Sequence, residues 1–147
     1  MELKKNSAFT MIEIMVVVAI IAGLLAILGP RVAKYMGQSD IKMTKLKIAK
    51  VKDALTSYRL DMGHFPRSAA PENGLESLLR RPSTKLAEEK WGGDEKEAYL
   101  DDEDDIRDKW NDDLEYNCPP VKYKNKYRSF EIISMGGDSG NEITDGK

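Results

Sequence analysis

A continuous apolar run near the N-terminus is the strongest pattern in the chain. Apart from Thr10 and Glu13, every residue from 9 to 28 is apolar, alanine or glycine. This length matches the roughly 20 residues that a helix needs to cross a bilayer. The run therefore predicts a transmembrane helix, with one carboxylate close to its start.

Beyond Gly29 and Pro30 the pattern becomes amphipathic. Seven positions recur at spacings of three and four, and only Thr44 among them is polar: Ile41, Thr44, Ile48, Val51, Leu55, Tyr58 and Met62. Such spacing predicts a helix with one buried face, ended by Gly63 and Pro66. Because proline removes a helical hydrogen bond, two separate helices meeting at Pro30 are the alternative to one long helix.

The rest of the chain alternates short apolar segments with turn residues. Asn73 and Gly74 predict a turn before a short helix, and the charge-rich stretch 94–113 predicts mostly loop. Residues 114–118 and 126–134 are typical of strands, and a third strand is expected without a definite place. The sequence thus predicts an α+β fold, in which a long N-terminal helix packs on a small antiparallel sheet with a long loop region.

Charge is strongly segregated within the 147 residues, although the net charge is only -2. Between residues 31 and 52 there are seven basic residues and one acidic residue, Asp40, whereas residues 101–105 are all acidic. Such blocks are typical of solvated faces, and complementary contact between the subunits of a polymer is the alternative. Nucleic-acid binding through these lysines is not expected, because no aromatic residues interleave with them to stack bases.

Catalytic motifs are missing from the sequence. It has no G-x-S-x-G, no Walker loop, no CxxC and no pair of histidines. His64 is expected to be a loop residue. Cys118 is the single cysteine, so no intramolecular disulfide can form, and we interpret it as a small buried apolar residue. The chain is therefore predicted not to be an enzyme.

The residues in front of the apolar run match a processing signal. The first eight residues include two lysines and end in Ala8. A secretory signal peptide has its small-residue cleavage site after the apolar stretch, whereas here the small residue precedes it. With Phe9, Thr10, Ile12 and Glu13 following, this arrangement resembles the class III signal of type IV pilins and pseudopilins, which usually has glycine where this chain has Ala8.

The resemblance implies a processing and an assembly role for this segment. A prepilin peptidase would cut between Ala8 and Phe9 and methylate the new Phe9 amine, and Glu13 of a neighbouring subunit would pair with that amine. A desolvated charge pair costs far less than either charge alone. Thr10 and Pro30 are also expected to contribute to assembly. Residues 1–8 would be the leader, 9–30 the transmembrane and assembly helix, and 31–147 the periplasmic domain.

Three C-terminal motifs narrow the resemblance to the major pseudopilin of type II secretion systems. They are Gly74-Leu75-Glu76-Ser77-Leu78, Asp108-Lys109-Trp110-Asn111 and Ser134-Met135-Gly136-Gly137-Asp138. Lys109 and Asn111 replace the proline and glycine that are usual in the second motif. Together with the N-terminal signal, the likeness spans nearly the whole chain.

This likeness implies a structural subunit of a periplasmic pseudopilus that drives protein secretion. The subunit would be a single-pass inner-membrane protein with a short cytoplasmic N-terminus and a periplasmic C-terminal domain. Expected partners are further copies of itself, minor pseudopilins, the prepilin peptidase and the inner-membrane assembly platform. A surface type IV pilus subunit and a monomeric membrane-anchored binding module are the alternatives.

The last loop is a candidate calcium site. Five residues within this short segment carry hard oxygen ligands: Asp138, Ser139, Asn141, Glu142 and Asp145. Calcium takes six to eight oxygens, main-chain carbonyls included. The resemblance implies calcium held by Asp138 and by a later acidic pair, of which only Asp145 stands in the expected place. An acidic flexible tail is the alternative.

Overall fold

The computed structural model describes residues 9–93, 97–137, 140 and 142–146. In chain order the elements are α1 (Met11–Met62), α2 (Glu76–Leu79), α3 (Lys85–Lys90), a 3-10 helix (Glu103–Ile106), β1 (Glu115–Asn117), β2 (Glu131–Ser134) and β3 (Ile143–Gly146). A long helix and a three-stranded antiparallel sheet confirm the predicted α+β class. The chain divides into two compact units, Met1–Gln38 and Ser39–Lys147.

In the first unit, α1 is exposed along its whole described length. The large apolar side chains from Phe9 to Leu28 lie between 47% and 84% exposed. Of the helices in the described ranges, α1 is long and apolar enough to cross a membrane. Pro30 lies inside α1, so one helix forms rather than two. The first unit extends to Gln38, and its residues 31–38 are exposed as well.

In the second unit, the predicted stripe of α1 forms one wall of the core. Thr44, Ile48, Val51, Leu55, Tyr58 and Met62 are all buried, and Ile41 is half-buried. The helix ends where the sequence predicts, at Gly63. This residue has φ 81°, and its N–H donates to the Arg59 carbonyl at 2.9 Å. A left-handed residue at this place is a common helix C-cap, and glycine adopts it without strain.

The sheet has the order β1-β2-β3, and both strand pairs are antiparallel. The first predicted strand is confirmed. The second is shorter than the predicted 126–134, because the backbone N–H groups of Lys126 and Tyr127 donate to the Tyr123 carbonyl at 2.9 Å and form a turn. The third strand, which the sequence pattern did not place, is β3 at the C-terminus.

Helix α3 was not predicted from the sequence. Thr84 is its N-cap, and the Thr84 Oγ1 accepts a hydrogen bond from Ala87 N at 3.1 Å. Just after the helix, Trp91 is buried and its indole N–H donates to the Ser77 carbonyl at 2.7 Å. In the part of 94–113 that the structure describes, the 3-10 helix and an isolated bridge between Arg107 and Asp113 interrupt the predicted loop.

Candidate functional site

The N-terminal residues singled out from the sequence form a helix cap. Glu13 N donates to Thr10 Oγ1 at 3.2 Å, and Thr10 N donates to Glu13 Oε2 at 3.5 Å. This reciprocal pair is a capping box, which satisfies backbone N–H groups that have no partner inside the helix. Its signal, threonine followed three residues later by glutamate, is present in the sequence, but sequence reasoning did not interpret it as a cap.

The cap leaves the Glu13 side chain accessible. Phe9 is 76% exposed, Glu13 is exposed as well, and the capping contact to the carboxylate is at the long limit for a hydrogen bond. A carboxylate in the first turn also interacts favourably with the helix dipole. Ala8, the other half of the predicted cleavage site, lies outside the described residues. Pro30 lies within α1 and is exposed.

Some of the segregated basic and acidic residues form ion pairs with each other inside the subunit. Lys47 Nζ lies 2.7 Å from Asp104 Oδ2, and Lys50 Nζ lies 2.6 Å from Asp105 Oδ2. The hydrogen bond from Lys47 lowers the pKa of the Asp104 carboxyl, and the bond to Asp105 raises the pKa of Lys50. These four residues therefore join α1 to the 3-10 helix. Sequence reasoning had considered only a solvated face or a contact between subunits.

Two of the C-terminal motifs meet at Asp108, which is 2% exposed. Asp108 Oδ1 accepts hydrogen bonds from the backbone N–H groups of Trp110 at 2.9 Å and Asp112 at 3.0 Å. Its Oδ2 accepts one from the Ser134 hydroxyl at 2.7 Å, and the Ser134 Oγ accepts one from Gly136 N. Asp108 thus ties the turn around Trp110 to the end of β2.

Backbone conformation explains two further residues of these motifs. Asn111 has φ 68°, in the left-handed region that glycine and asparagine tolerate best. Asparagine can therefore stand where the resembled family has glycine. Gly137 has φ 57°, and a Cβ added there would lie 2.5 Å from ring carbons of Trp110. The indole can pack against the backbone only because Gly137 lacks a side chain.

We expect Asp108→Ala to lower the free energy of unfolding by about 3 kcal/mol, because it leaves two amides and a hydroxyl without their acceptor. Asp108→Asn should cost less, since the amide oxygen can still accept from both backbone N–H groups. Denaturant titration of the full-length chain in detergent measures both effects. Equal stability of Asp108→Ala and the wild type would show that Asp108 does not join the motifs.

Sequence reasoning missed the carboxylate that is most buried among the described residues. Glu131 on β2 is fully buried, and its Oε1 accepts from Val121 N at 2.9 Å, Lys122 N at 2.8 Å and Asn117 Nδ2 at 3.1 Å. Its Oε2 accepts from Tyr123 N at 2.7 Å. Burial acts to raise the pKa of Glu131, but the amide donors outweigh it, so the pKa lies below its usual value. The only signal in the sequence is a carboxylate within an apolar strand.

Glu72, in the loop between α1 and α2, is a further buried carboxylate. It accepts hydrogen bonds from the Tyr58 hydroxyl at 3.2 Å and from Arg67 N at 2.7 Å, and its Oε1 lies 2.6 Å from His64 Nε2. Burial acts to raise its pKa, but the Arg67 N–H and His64 lower it further than burial raises it. His64 lies in a loop, as predicted, with a carboxylate partner that its spacing in the sequence did not reveal.

The predicted calcium ligands can be compared with the structure only in part. Asp138, Ser139 and Asn141 lie outside the described residues. Both Asp145 oxygens lie 3.0 Å from Lys52 Nζ. Glu142 accepts hydrogen bonds from Lys122 Nζ and, at 2.6 Å, from the Tyr123 hydroxyl.

Within the described ranges, no three His, Cys, Asp or Glu side chains cluster as metal ligands would. Lysine or tyrosine donors engage both oxygens of the Asp145 and Glu142 carboxylates. Calcium binding by Asp138 and Asp145 stays a prediction from the resemblance.

Cys118 is half-buried rather than fully buried. Desolvation raises the pKa of its thiol, which keeps the sulfur neutral and poorly nucleophilic at neutral pH. This environment agrees with a packing role rather than a chemical one.

Two family models together match nearly the whole chain. Residues 31–147 match the family model described as type II secretion system (T2SS), protein G, and residues 3–29 match the prokaryotic N-terminal methylation motif. The type II secretion system core protein G of Pseudomonas aeruginosa is 31% identical over 94% of this chain and 88% of its own length. That of Escherichia coli is 28% identical over 91% of this chain and 83% of its own length.

A solved structure shares the fold. It is the major pseudopilin from the type 2 secretion system of enterohaemorrhagic Escherichia coli, with a TM-score of 0.56 and 19% sequence identity. The match covers 77% of this chain and 91% of that one. Taken with the long apolar N-terminal helix, the signal before it and the linked C-terminal motifs, these matches show that the chain belongs to the type II secretion system protein G family of major pseudopilins, which are membrane-anchored structural subunits.

Proposed function

We propose that the chain is cut between Ala8 and Phe9, methylated on Phe9, and then polymerised through residues 9–28 into the periplasmic pseudopilus that drives type II secretion. The observation that supports this most directly is the exposure of the apolar side chains of α1. Exposed apolar surface of this extent requires lipid or other helices to cover it. The family supplies the second support, since it consists of pseudopilus subunits.

The same surface suits both environments that a subunit would meet. Lipid tails are as apolar as aliphatic side chains, so transfer from the bilayer to a helical bundle has little hydrophobic driving force. Close packing and polar contacts must then decide the register of neighbouring helices. Small residues spaced four apart, Ala19 with Gly23 and Ala22 with Ala26, allow close approach of helix backbones. A pair between the Phe9 amine and a neighbour's Glu13 would supply the polar contact.

The orientation we propose is a cytoplasmic N-terminus and a periplasmic C-terminal domain in the inner membrane. Lys4 and Lys5 precede the apolar run, and positive residues favour the cytoplasmic side. Minor pseudopilins, the prepilin peptidase and the inner-membrane assembly platform would be the partners. Growth of the fibre would then move folded proteins across the outer membrane.

Intact mass of the protein from membranes of cells that contain the peptidase tests the processing step. We expect loss of the first eight residues and gain of one methyl group, and we expect the processed chain in sheared fibres. A peptidase-deficient strain is the control. An unprocessed chain would instead favour a monomeric anchored binding module. If deleting the gene abolished surface fibres and left secretion intact, a type IV pilus subunit would be favoured.

A further inference from the structure

The last strand, β3, presents different groups on its two faces, as alternation along a strand requires. Ile143 and Asp145 share one face. Ile143 is 6% exposed within the core, and Asp145 meets Lys52 of α1. The other face carries Thr144, whose Oγ1 lies 3.3 Å from Lys126 Nζ and 3.4 Å from the Tyr127 hydroxyl.

Glu142, just before the strand, lies on the same side as Thr144. Its carboxylate is bound by Lys122 Nζ and the Tyr123 hydroxyl, from the turn that precedes β2. That turn also holds Lys126, whose Nζ lies 4.8 Å from the centre of the Tyr127 ring. Each face of β3 therefore has its own acidic residue and its own lysine.

This geometry does not suit a shared divalent ion. Calcium requires six to eight oxygens converging at about 2.3–2.6 Å. The two carboxylates have separate partners, Lys52 for Asp145 and Lys122 with Tyr123 for Glu142, and do not share a common donor or site. Asp145 Oδ1 has a second donor besides Lys52, the Gly146 N–H at 2.7 Å. A calcium ion at either carboxylate would first have to displace an ammonium group.

We propose that Lys52 takes the structural role that calcium would have here: its ammonium group fixes β3 against α1, with Lys122 as the counterpart on the other face. A cation that is covalently part of the chain cannot be removed by a chelator. The Lys52 and Asp145 side chains are 34% and 42% exposed, so salt weakens the pair only in part. Lys52 fixes β3 within the folded subunit, whether or not the subunit polymerises.

Thermal unfolding of the full-length chain in detergent, with calcium chloride or with a chelator, tests the proposal. The wild type should unfold at the same temperature in both. Lys52→Met should lower that temperature by about 2–4 °C in both, as expected for losing a partly exposed ion pair. Lys42→Met is the matched control, since Lys42 is exposed on the same helix, and it should leave the unfolding temperature unchanged.

Two further readouts locate the effect at β3. Amide hydrogen exchange at Thr144 should be faster in Lys52→Met than in the wild type, and unchanged in Lys42→Met. Exchanging the charges in Lys52→Asp with Asp145→Lys should recover part of the loss.

A calcium-dependent rise in the wild-type unfolding temperature, with stoichiometric calcium binding in a calorimetric titration, would overturn the proposal. The proposal would also be overturned if Lys52→Met matched the wild type in thermal unfolding and in hydrogen exchange. Neither measurement requires a fibre, so failure of this proposal is distinguishable from failure of the polymerisation proposal.

Discussion

Replacing Glu13 with glutamine should leave the chain inserted and processed in the membrane, and should abolish its incorporation into fibres. A capping box accepts glutamine as well as glutamate at this position, so the contacts with Thr10 can remain. Only the negative charge is lost. In the proposed fibre, the cationic Phe9 amine would then be surrounded by aliphatic side chains without a partner, at a cost of about 3–5 kcal/mol for each contact.

The amount of processed subunit in sheared fibres, relative to the amount in membranes, measures this effect. Thr10→Ala is the matched control, because it removes the capping hydroxyl and keeps the charge. It should cost about 1 kcal/mol of helix stability and reduce fibres far less than Glu13→Gln. The reverse order, with normal fibres from Glu13→Gln and few from Thr10→Ala, would mean that Glu13 acts only as a helix cap.

Replacing Glu131 with leucine should destabilise the C-terminal domain by about 3–4 kcal/mol. Leucine fills a similar volume but leaves the backbone N–H groups of Val121, Lys122 and Tyr123, whose hydrogen bonds to Glu131 are partly buried, without their acceptor. Because whole domains are stable by only about 5–15 kcal/mol, this single change could remove most of the stability. Denaturant titration of the full-length chain in detergent measures it.

Glu115→Leu is the control for that change, since Glu115 lies on the adjacent strand and is exposed. It should alter the free energy of unfolding by no more than about 0.5 kcal/mol. If the two variants unfold alike, the Glu131 contacts do not hold the turn in place.

The pH dependence of unfolding checks the same contacts independently. The pKa of Glu131 and that of Glu72 are lower in the folded chain than their usual values. Each carboxylate therefore stabilises the fold fully above its unfolded pKa of about 4.3, and this contribution is lost as the pH falls through the folded pKa. The contribution of these two carboxylates should be constant from neutral pH to about pH 5 and should fall below it. Glu131→Gln should make that fall shallower.

Local features were predictable because their causes lie within a few residues. The stripe from Thr44 to Met62 follows from helical periodicity, and Gly63 ends the helix because its conformation is left-handed. The order of small residue, Phe9 and apolar run indicated the processing signal for a similar reason, since all of it lies in one short segment. The capping box at Thr10 was also readable locally, although we did not predict it.

Contacts between distant segments were not predictable. Lys47 meets Asp104 and Lys52 meets Asp145 only after α1 packs against the rest of the domain, and in the sequence these lysines cannot be distinguished from Lys45. The pattern around Glu131 predicted a longer strand than the one that forms. The turn before β2 is held by hydrogen bonds from the backbone amides of residues 121–123 to the Glu131 carboxylate, and the sequence pattern does not reveal these contacts.

Local patterns were therefore enough to assign the class of protein: an apolar helix behind a processing signal, an amphipathic continuation and three linked motifs. The tertiary structure alone decided which charges are neutralised within the subunit and which remain for neighbours. It also decided which lysine of α1 meets Asp145, namely Lys52. The physical reason is that periodicity and turn chemistry act over a few residues, whereas the pairing of charges depends on which surfaces the hydrophobic core brings together.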